Sequence, residues 1–224
     1  MSSTQRLSVS TGRDLWITLV GAALLLAWDS SGGDLALIRL YASAQGFPLR
    51  EHWFTSTVLH QGGRWLGFIV LAALLLNLWR PWTPALRRAE RWRWVGLTLL
   101  CLLLVPAIKQ ISPTSCPWEL REFGGVAAHV SHWRWTAVDG GRGHCFPSGH
   151  ATAAFAFISG WFVLRAAYPR AARAWLAAVM ITGIAFGWGQ MARGAHYASH
   201  TMWAAWLCWT LCALLAPRRH VTVP

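Results

Sequence analysis

Residues Gly143 to Leu164 read GHCFPSGHATAAFAFISGWFVL, a polar loop followed directly by an apolar run. Pro147 suits the start of a helix because its missing N–H costs nothing there, and Ser148 is a favoured cap. Gly149 has no Cβ, so its amide can approach an oxyanion closely, and the unpaired amides of the first turn attract negative charge. His150 then lies where an imidazole can give a proton to a leaving oxygen. Ordinary helices begin with the same residue types, so the interpretation as a phosphate site depends on the rest of the chain.

The composition indicates a membrane protein. Of 224 residues, 55% are hydrophobic and only 12% are charged, with a formal net charge of +12. Nineteen of the twenty basic residues are arginine, and the single lysine is Lys109. These cations fall between apolar runs instead of on one polar module, so we expect no nucleic-acid partner.

Six apolar runs predict an all-α fold, a polytopic bundle of six transmembrane helices in one domain covering residues 1–224. Each run is shorter than the roughly 18 to 20 residues of a typical span, but tryptophans recur near their ends, as in an aromatic belt. We predict that the first run is a retained helix, not a signal peptide, and that Phe47 to Leu59 is a short interfacial helix. The runs are Leu15 to Trp28, Trp65 to Leu76, Trp94 to Ile108, Ala151 to Leu164, Ala174 to Trp188 and Thr201 to Ala216.

The distribution of arginine predicts the topology. With a cytoplasmic N-terminus, one side of the membrane carries twelve basic and two acidic residues, a net charge of +10. The other side carries eight basic and six acidic residues, a net charge of +2. The positive-inside rule therefore places both termini in the cytoplasm and the GHCFPSGH loop on the outward face of the membrane.

Three segments on the outward side carry unusual polar chemistry: Lys109 to Phe123, Gly143 to His150 and Gln190 to His200. Lys109 lies at the outer end of the third span. It serves there either as a membrane anchor or as a compact cation that binds phosphate. His196 and His200 lie one helical turn apart, with Arg193 a turn earlier. A zinc site built from these histidines with His144 and His150 is an alternative, although the sequence contains no HExxH pattern or paired cysteine motif.

These segments resemble the type 2 phosphatidic acid phosphatase superfamily. That family carries Lys, six residues, Arg-Pro; then Pro-Ser-Gly-His; then Ser-Arg, five residues, His, three residues, Asp. Here Lys109 precedes Cys116-Pro117 by the same spacing, PSGH occupies 147–150, and Gln190 precedes His196 and His200 in the same register. The core that carries the motifs is 109–200, and the phrases CPWEL, FGG and GQMARGAHYASH resemble most the branch containing lipid A 4'-phosphatases.

The resemblance implies covalent catalysis through a phosphohistidine. His196 matches the nucleophile and His150 the general acid, while Lys109, Ser148 and Gly149 match the phosphate cradle. Fixed donors and cations meet the charge in such a site, so we expect no metal and no cofactor. The expected activity is that of a lipid phosphatase acting on a phospholipid such as phosphatidylglycerol phosphate, on lipid A or on undecaprenyl diphosphate, with no obligatory protein partner.

Four positions depart from the family pattern. Cys116 and Gln190 replace arginines, Gly189 replaces serine, and His200 replaces the aspartate that steadies the nucleophile. We predict Arg193 as the substitute phosphate ligand, with Arg121 second, and Glu119 or Glu122 as the source of the missing carboxylate.

The outward cysteines predict one covalent link. Cys116 and Cys145 each lie shortly before a motif proline, and in an oxidising periplasm they form a disulfide; two free thiols are the alternative. Cys101, Cys208 and Cys212 fall in apolar runs and are expected to be inert.

Three other functions stay open from the sequence alone. A phosphotransferase would pass the phosphoryl group to a lipid or sugar hydroxyl instead of water. A transporter would carry its polar groups near mid-membrane, whereas these lie at helix ends. The lost motif arginines also permit a non-catalytic scaffold.

Overall fold

The computed structural model describes residues 9–215, most of which lie in helices and none in strands. The helices are α1 (Val9–Ser30), α2 (Gly33–Arg39), α3 (Gly63–Trp79), α4 (Arg88–Ile111), α5 (Gly149–Phe155), α6 (Ser159–Leu164), α7 (Pro169–Ala192) and α8 (Ala198–Leu215). A π-helical stretch, Phe54–Gly62, continues into α3, and a single 3₁₀ turn, Ala156–Ile158, joins α5 to α6.

Local signals in the sequence account for several helix ends. Glu90 lies in the first turn of α4. Its carboxylate accepts from the backbone N–H of Arg87 at 2.9 Å and satisfies an amide that the helix leaves free. Pro169 opens α7 at the first helical position, where it has no N–H to lose. Ser148 caps α5 as expected, since its Oγ accepts from the N–H of Ala151 at 3.3 Å.

The broken helix formed by α5 and α6 lies at the centre of the bundle. It packs against α3, α4, α7 and α8, and Phe155 and Ile158 are almost fully buried there. The approach to α7 is close enough that a Cβ on Gly183 would lie 2.2 Å from the ring of Phe155. Because any larger residue at 183 would displace that ring, this glycine sets the distance between the central helix and α7.

Three helices are long and apolar enough to cross a membrane: Phe54–Trp79, Arg88–Ile111 and Pro169–Ala192. A fourth span results if the bent pair Gly12–Ser30 and Gly33–Arg39, which meet at 66°, crosses as one. Large apolar side chains such as Trp16, Leu103 and Ile181 cover the outside of the bundle, as a lipid-facing surface requires. These features support a membrane protein with three or four spans.

All six predicted apolar runs are helical, although Ala216 and both chain ends lie outside the described residues. The expected interfacial helix from Phe47 to Leu59 is wrong. Residues 47–50 form turns, and from Phe54 the chain is already part of the helix that continues to Trp79. That prediction failed because His60, Gln61 and Arg64 interrupt the apolar pattern without interrupting the helix.

Both ends of the bundle are held by polar contacts. At one end, the Arg165 guanidinium at the end of α6 donates to the Asp14 carboxylate near the start of α1, at 2.6 Å. At the other end, the last turn of α4, the first turn of α5 and the α7–α8 junction meet the start of the Phe54–Trp79 helix. This second end contains the polar segments that the sequence singled out.

Candidate active site

A cavity of about 340 Å³ opens at this second end of the bundle. Side chains from four helical segments and from the loop after α4 form its walls. Its lining residues are His60, Arg64, Lys109, Cys116, Trp118, Gly149, His150, Ala153, Gln190, Ala195 and His196. All three segments expected to converge therefore do so, together with a fourth, the start of the Phe54–Trp79 helix.

The start of α5 presents its backbone to the cavity. Gly149 lines the wall, and a Cβ there would lie 3.7 Å from the Cδ of Lys109, so backbone and lysine approach each other closely. Ser148 is fully buried as the helix cap and does not line the cavity. The polar groups that the PSGH segment offers to an anion here are thus the Gly149 amide and the His150 ring.

His196 lies in the short connection between α7 and α8, and the fold presents it to the cavity. Gly194 makes this sharp connection possible with a φ of 73°, a conformation that favours glycine. Its carbonyl also accepts from the N–H of Trp118 at 2.9 Å. The turn therefore holds the His196 ring against the segment that follows α4.

The environment of His196 keeps its ring neutral. Burial and the positive charge of Lys109 both lower the pKa of His196 well below its ordinary value of 6.5. A neutral imidazole keeps a lone pair on one nitrogen, which a nucleophile needs. Because Nδ1 lies 3.3 Å from Nδ1 of His200, Nε2 is the nitrogen available for attack.

His150 contacts a second histidine. Its ring centroid lies 4.5 Å from that of His60, and its Nε2 lies 3.1 Å from the carbonyl oxygen of Leu59. The Nδ1 atom of His60 in turn lies 3.1 Å from Nε2 of the Gln190 side chain. His150, the candidate general acid, is thus held by the start of the Phe54–Trp79 helix, which carries none of the three motif segments.

His200 lies behind the cavity wall, fully buried in α8. It touches His196 but lines a separate, smaller cavity. Glu119 accepts from the backbone N–H of Cys116, and Glu122 pairs with Arg39. Neither glutamate contacts His196 or His200, so neither provides the carboxylate that the family holds at position 200.

Arg64, not Arg193, is the arginine on the cavity wall. Arg193 does not line the cavity, and its Nε donates to the carbonyl of Arg50 at 2.8 Å. Arg121 is exposed and donates to the carbonyl of Val126 at 2.9 Å. His60 and Arg64 lie outside the three motif segments, although their i, i+4 spacing within LHQGGR puts both on one helical face.

Cys116 and Cys145 form the predicted disulfide. The bond joins the segment after α4 to the loop that starts α5, so it ties two walls of the cavity together. The Cys145 sulfur lies 3.6 Å from Nδ1 of His196 and, being disulfide-bonded, has no proton to donate. Cys101, Cys208 and Cys212 are free and buried, as expected.

Replacing both bridged cysteines by serine is expected to lower the free energy of unfolding by about 3 to 4 kcal/mol, because the bond closes a long loop in the unfolded chain. The midpoint of heat denaturation in detergent measures the loss. Dithiothreitol should lower the midpoint of the unaltered protein and leave that of the Cys116→Ser/Cys145→Ser variant unchanged. A midpoint of the unaltered protein that ignores the reductant would contradict the cross-link.

The four histidines proposed as a zinc site do not gather as ligands among residues 9–215. The groups of three candidate ligand atoms within 4.8 Å are Cys116, Cys145 and His196, and Asp29, Asp34 and His132. The disulfide consumes both thiolates of the first group. The cavity itself instead offers a buried neutral histidine, two further histidines, a lysine and an arginine.

Such a set of groups belongs to a phosphate-processing site, and comparison with known families agrees with that class. The model of the PAP2 superfamily matches residues 63–221, about seven tenths of the chain, and the chain belongs to this superfamily. Its members are phosphatases, typically of phosphorylated lipids. No curated protein and no solved structure matches the chain significantly.

Proposed function

We propose that the protein is an integral-membrane lipid phosphatase that works through a phosphohistidine, without a metal. One observation carries this proposal: His196 and His150 share a cavity with Lys109 and Arg64. The substrate is a phosphate monoester or diphosphate of lipid A, undecaprenol or phosphatidylglycerol, and the nearest branch is that of the lipid A 4'-phosphatases. By the charge asymmetry of the loops, the cavity faces the periplasm of a bacterial inner membrane.

In the first chemical step, Nε2 of His196 attacks phosphorus and the bond from phosphorus to the lipid oxygen breaks. His150 gives its proton to that oxygen, so the lipid leaves as an alcohol from a monoester or as a monophosphate from a diphosphate. The proton on Nδ1 of His196 is held by Nδ1 of His200, 3.3 Å away. The phosphohistidine that forms therefore keeps its ring orientation.

In the second step, His150 takes a proton from water, which attacks phosphorus as the bond to Nε2 breaks. Inorganic phosphate leaves and both histidines return to their starting states. If an alcohol replaced water, the same intermediate would make the protein a phosphotransferase, which is the alternative activity.

Charge in the transition state is met by fixed groups. Lys109 provides a compact ammonium, Arg64 a planar fork that can bind two oxygens, and Gly149 a backbone amide. Arg64 thus takes over from the arginines that the family holds where this chain has Cys116 and Gln190. Preorganised donors of this kind stabilise a phosphoryl transition state by electrostatics alone.

An apolar groove of about 210 Å³ adjoins the cavity and supports a lipid substrate. It runs between α3, α5 and α7, and Ala153 lines both spaces. Phe186 lines the groove as well and packs against the His150 ring, with centroids 5.1 Å apart. A chain lying in this groove would reach the histidines at its phosphorylated end.

The test is phosphate release by the detergent-purified protein from lipid A, undecaprenyl diphosphate and phosphatidylglycerol phosphate, with p-nitrophenyl phosphate as a soluble probe. Release from one lipid that a chelator does not abolish supports the proposal. Transfer of phosphate to an added alcohol without release of free phosphate supports the phosphotransferase instead.

Ala178→Trp is expected to lower kcat/KM for that lipid about tenfold, because the indole fills the outer groove and displaces roughly two buried methylenes. The same variant should hydrolyse p-nitrophenyl phosphate within about twofold of the unaltered protein. Ala177→Trp is the matched control, since Ala177 is exposed on the same helix and does not line the groove. Equal effects of both tryptophans on the lipid would contradict a chain in this groove.

A further inference from the structure

A second cavity of about 60 Å³ lies on the far side of His200 from the active site. Asp29 and Asp34 reach it from the bend between α1 and α2. His129 and His132 reach it from the loop before α5, and Tyr197 and His200 from the region that carries the nucleophile. The chemistry proposed above does not use its carboxylates.

The contact between His196 and His200 decides which ring nitrogen of His200 carries a proton towards this second cavity. If Nε2 of His196 attacks phosphorus, its Nδ1 carries a proton and donates to Nδ1 of His200, 3.3 Å away. His200 must then carry its own proton on Nε2. That nitrogen is buried, has no hydrogen-bond partner within residues 9–215 and belongs to a lining residue of the second cavity.

Asp29 offers the matching acceptor. Its Oδ2 accepts from the indole N–H groups of Trp133 and Trp203, both at 2.9 Å, whereas Oδ1 is buried and accepts from none of the described groups. Asp34 differs, because both of its oxygens accept, from Trp28 and from the backbone and hydroxyl of Ser199. The unpaired donor of His200 and the unpaired acceptor of Asp29 thus lie on one small cavity, together with the Tyr197 hydroxyl and Nε2 of His132, which also have no hydrogen-bond partner among residues 9–215.

The basic group beside the Asp29 carboxylate among residues 9–215 is the imidazole of His132. Among the described residues neither Asp29 nor Asp34 pairs with lysine or arginine. Nε2 of His132 lies 3.3 Å from Oδ2 of Asp29, without hydrogen-bond geometry. Buried negative charge of this kind favours a positive partner, and the His196–His200 pair becomes positive when the phosphohistidine forms.

We propose that Asp29 is a positioning residue that provides, through His200, the negative charge that the family obtains from an aspartate at position 200. The carboxylate accepts the Nε2 proton of His200 directly or through one water, for which the 60 Å³ cavity has room. Asp29 orients the nucleophile and steadies its charged form without touching substrate. This inference rests on the phosphohistidine chemistry proposed above.

The first test separates positioning from binding. Asp29→Asn keeps the side-chain shape and is expected to lower kcat roughly 10- to 100-fold, as loss of a supporting carboxylate does, with KM changed less than twofold. Asp29→Asn combined with His200→Asp should recover most of the lost kcat, because a carboxylate then contacts His196 directly. Glu122→Gln, which removes another outward carboxylate, is the control and should keep full kcat.

Several outcomes would overturn the inference while phosphate release by the unaltered protein stands. These are an unchanged kcat in Asp29→Asn, or a loss of kcat that His200→Asp does not repair. Binding of one equivalent of divalent metal by the unaltered protein, but not by His132→Ala, would also overturn the inference, because it would assign Asp29 to a metal site.

The second test does not depend on turnover. In protein labelled with ¹⁵N-histidine, the His200 ring signals, assigned by their loss in His200→Asp, should show the proton on Nε2. A proton on Nδ1 of His200 would overturn the inference, whether or not any lipid is hydrolysed. The heat-denaturation midpoint of each variant shows whether it is folded before its kcat is compared.

Discussion

His196→Ala is expected to abolish phosphate release, with kcat falling at least about 10⁴-fold, as removal of a covalent nucleophile does. The reason is specific to this ring, because His196 is the buried histidine that offers a free Nε2 to the cavity. Of the other two histidines on the cavity, His150 is held at the carbonyl of Leu59 and His60 at the Gln190 side chain. The alanine also leaves the α7–α8 connection intact, since Gly194 and its contact with Trp118 are unchanged.

The intermediate itself gives a direct measurement. Protein mixed with ³²P-labelled lipid and quenched in alkaline detergent should retain label, because the phosphorus–nitrogen bond survives alkali, and acid should release that label. The His196→Ala variant should retain none. His144→Asn is the matched control, since His144 is exposed, does not line the cavity and has a φ of 55° that asparagine tolerates.

Two results would contradict this assignment. Retained activity in His196→Ala would exclude the phosphohistidine, and a large loss in His144→Asn would revive the zinc site that includes His144. If His196→Ala loses phosphate release but keeps the effect of the unaltered protein in cells, a non-catalytic scaffold is favoured.

Arg64→Ala is expected to lower kcat/KM about 10²- to 10³-fold, the usual cost of removing one preorganised donor from a transition state. Arg64 is the arginine that lines the cavity, and its guanidinium can bind two phosphate oxygens at once. Arg64→Lys should recover only part of the loss, because an ammonium keeps the charge but not the fork.

Arg121→Ala is the control for removing a positive charge from the outward surface, and its kcat/KM should stay within about twofold of the unaltered protein. Arg193→Gln decides between the two assignments. A large loss in Arg193→Gln together with a small one in Arg64→Ala would restore Arg193 as the phosphate ligand and contradict the geometry argued here.

Much of the site was predictable from local pattern. The sequence left open whether Cys116 and Cys145, 29 residues apart, form a bond, whereas the cap at Ser148 and the neighbouring His196 and His200 follow from residue type and spacing. Each depends on groups a few residues apart or on chemistry that a motif already orders. The helical character of the six apolar runs was predictable for the same reason, whereas the length and composition of the helices support three or four spans.

Other features were decided by packing between distant segments. Arg193 lies next to the motif in sequence, yet the end of α7 directs its side chain to the carbonyl of Arg50. Arg64, far from the motif, is brought to the cavity by the packing of its helix beside α5 and α7. Asp29 reaches the cavity that His200 lines because α1 packs along α8.

The sequence by itself determined the helices, the α5 start and the histidine pair, because these depend on contacts within one or two turns or on a motif of fixed spacing. Only the tertiary structure decided which arginine faces the cavity, which carboxylate lies near His200 and where an apolar groove adjoins the histidines. Those features depend on the rotation and close approach of whole helices, and many residues of similar type satisfy the local pattern equally well.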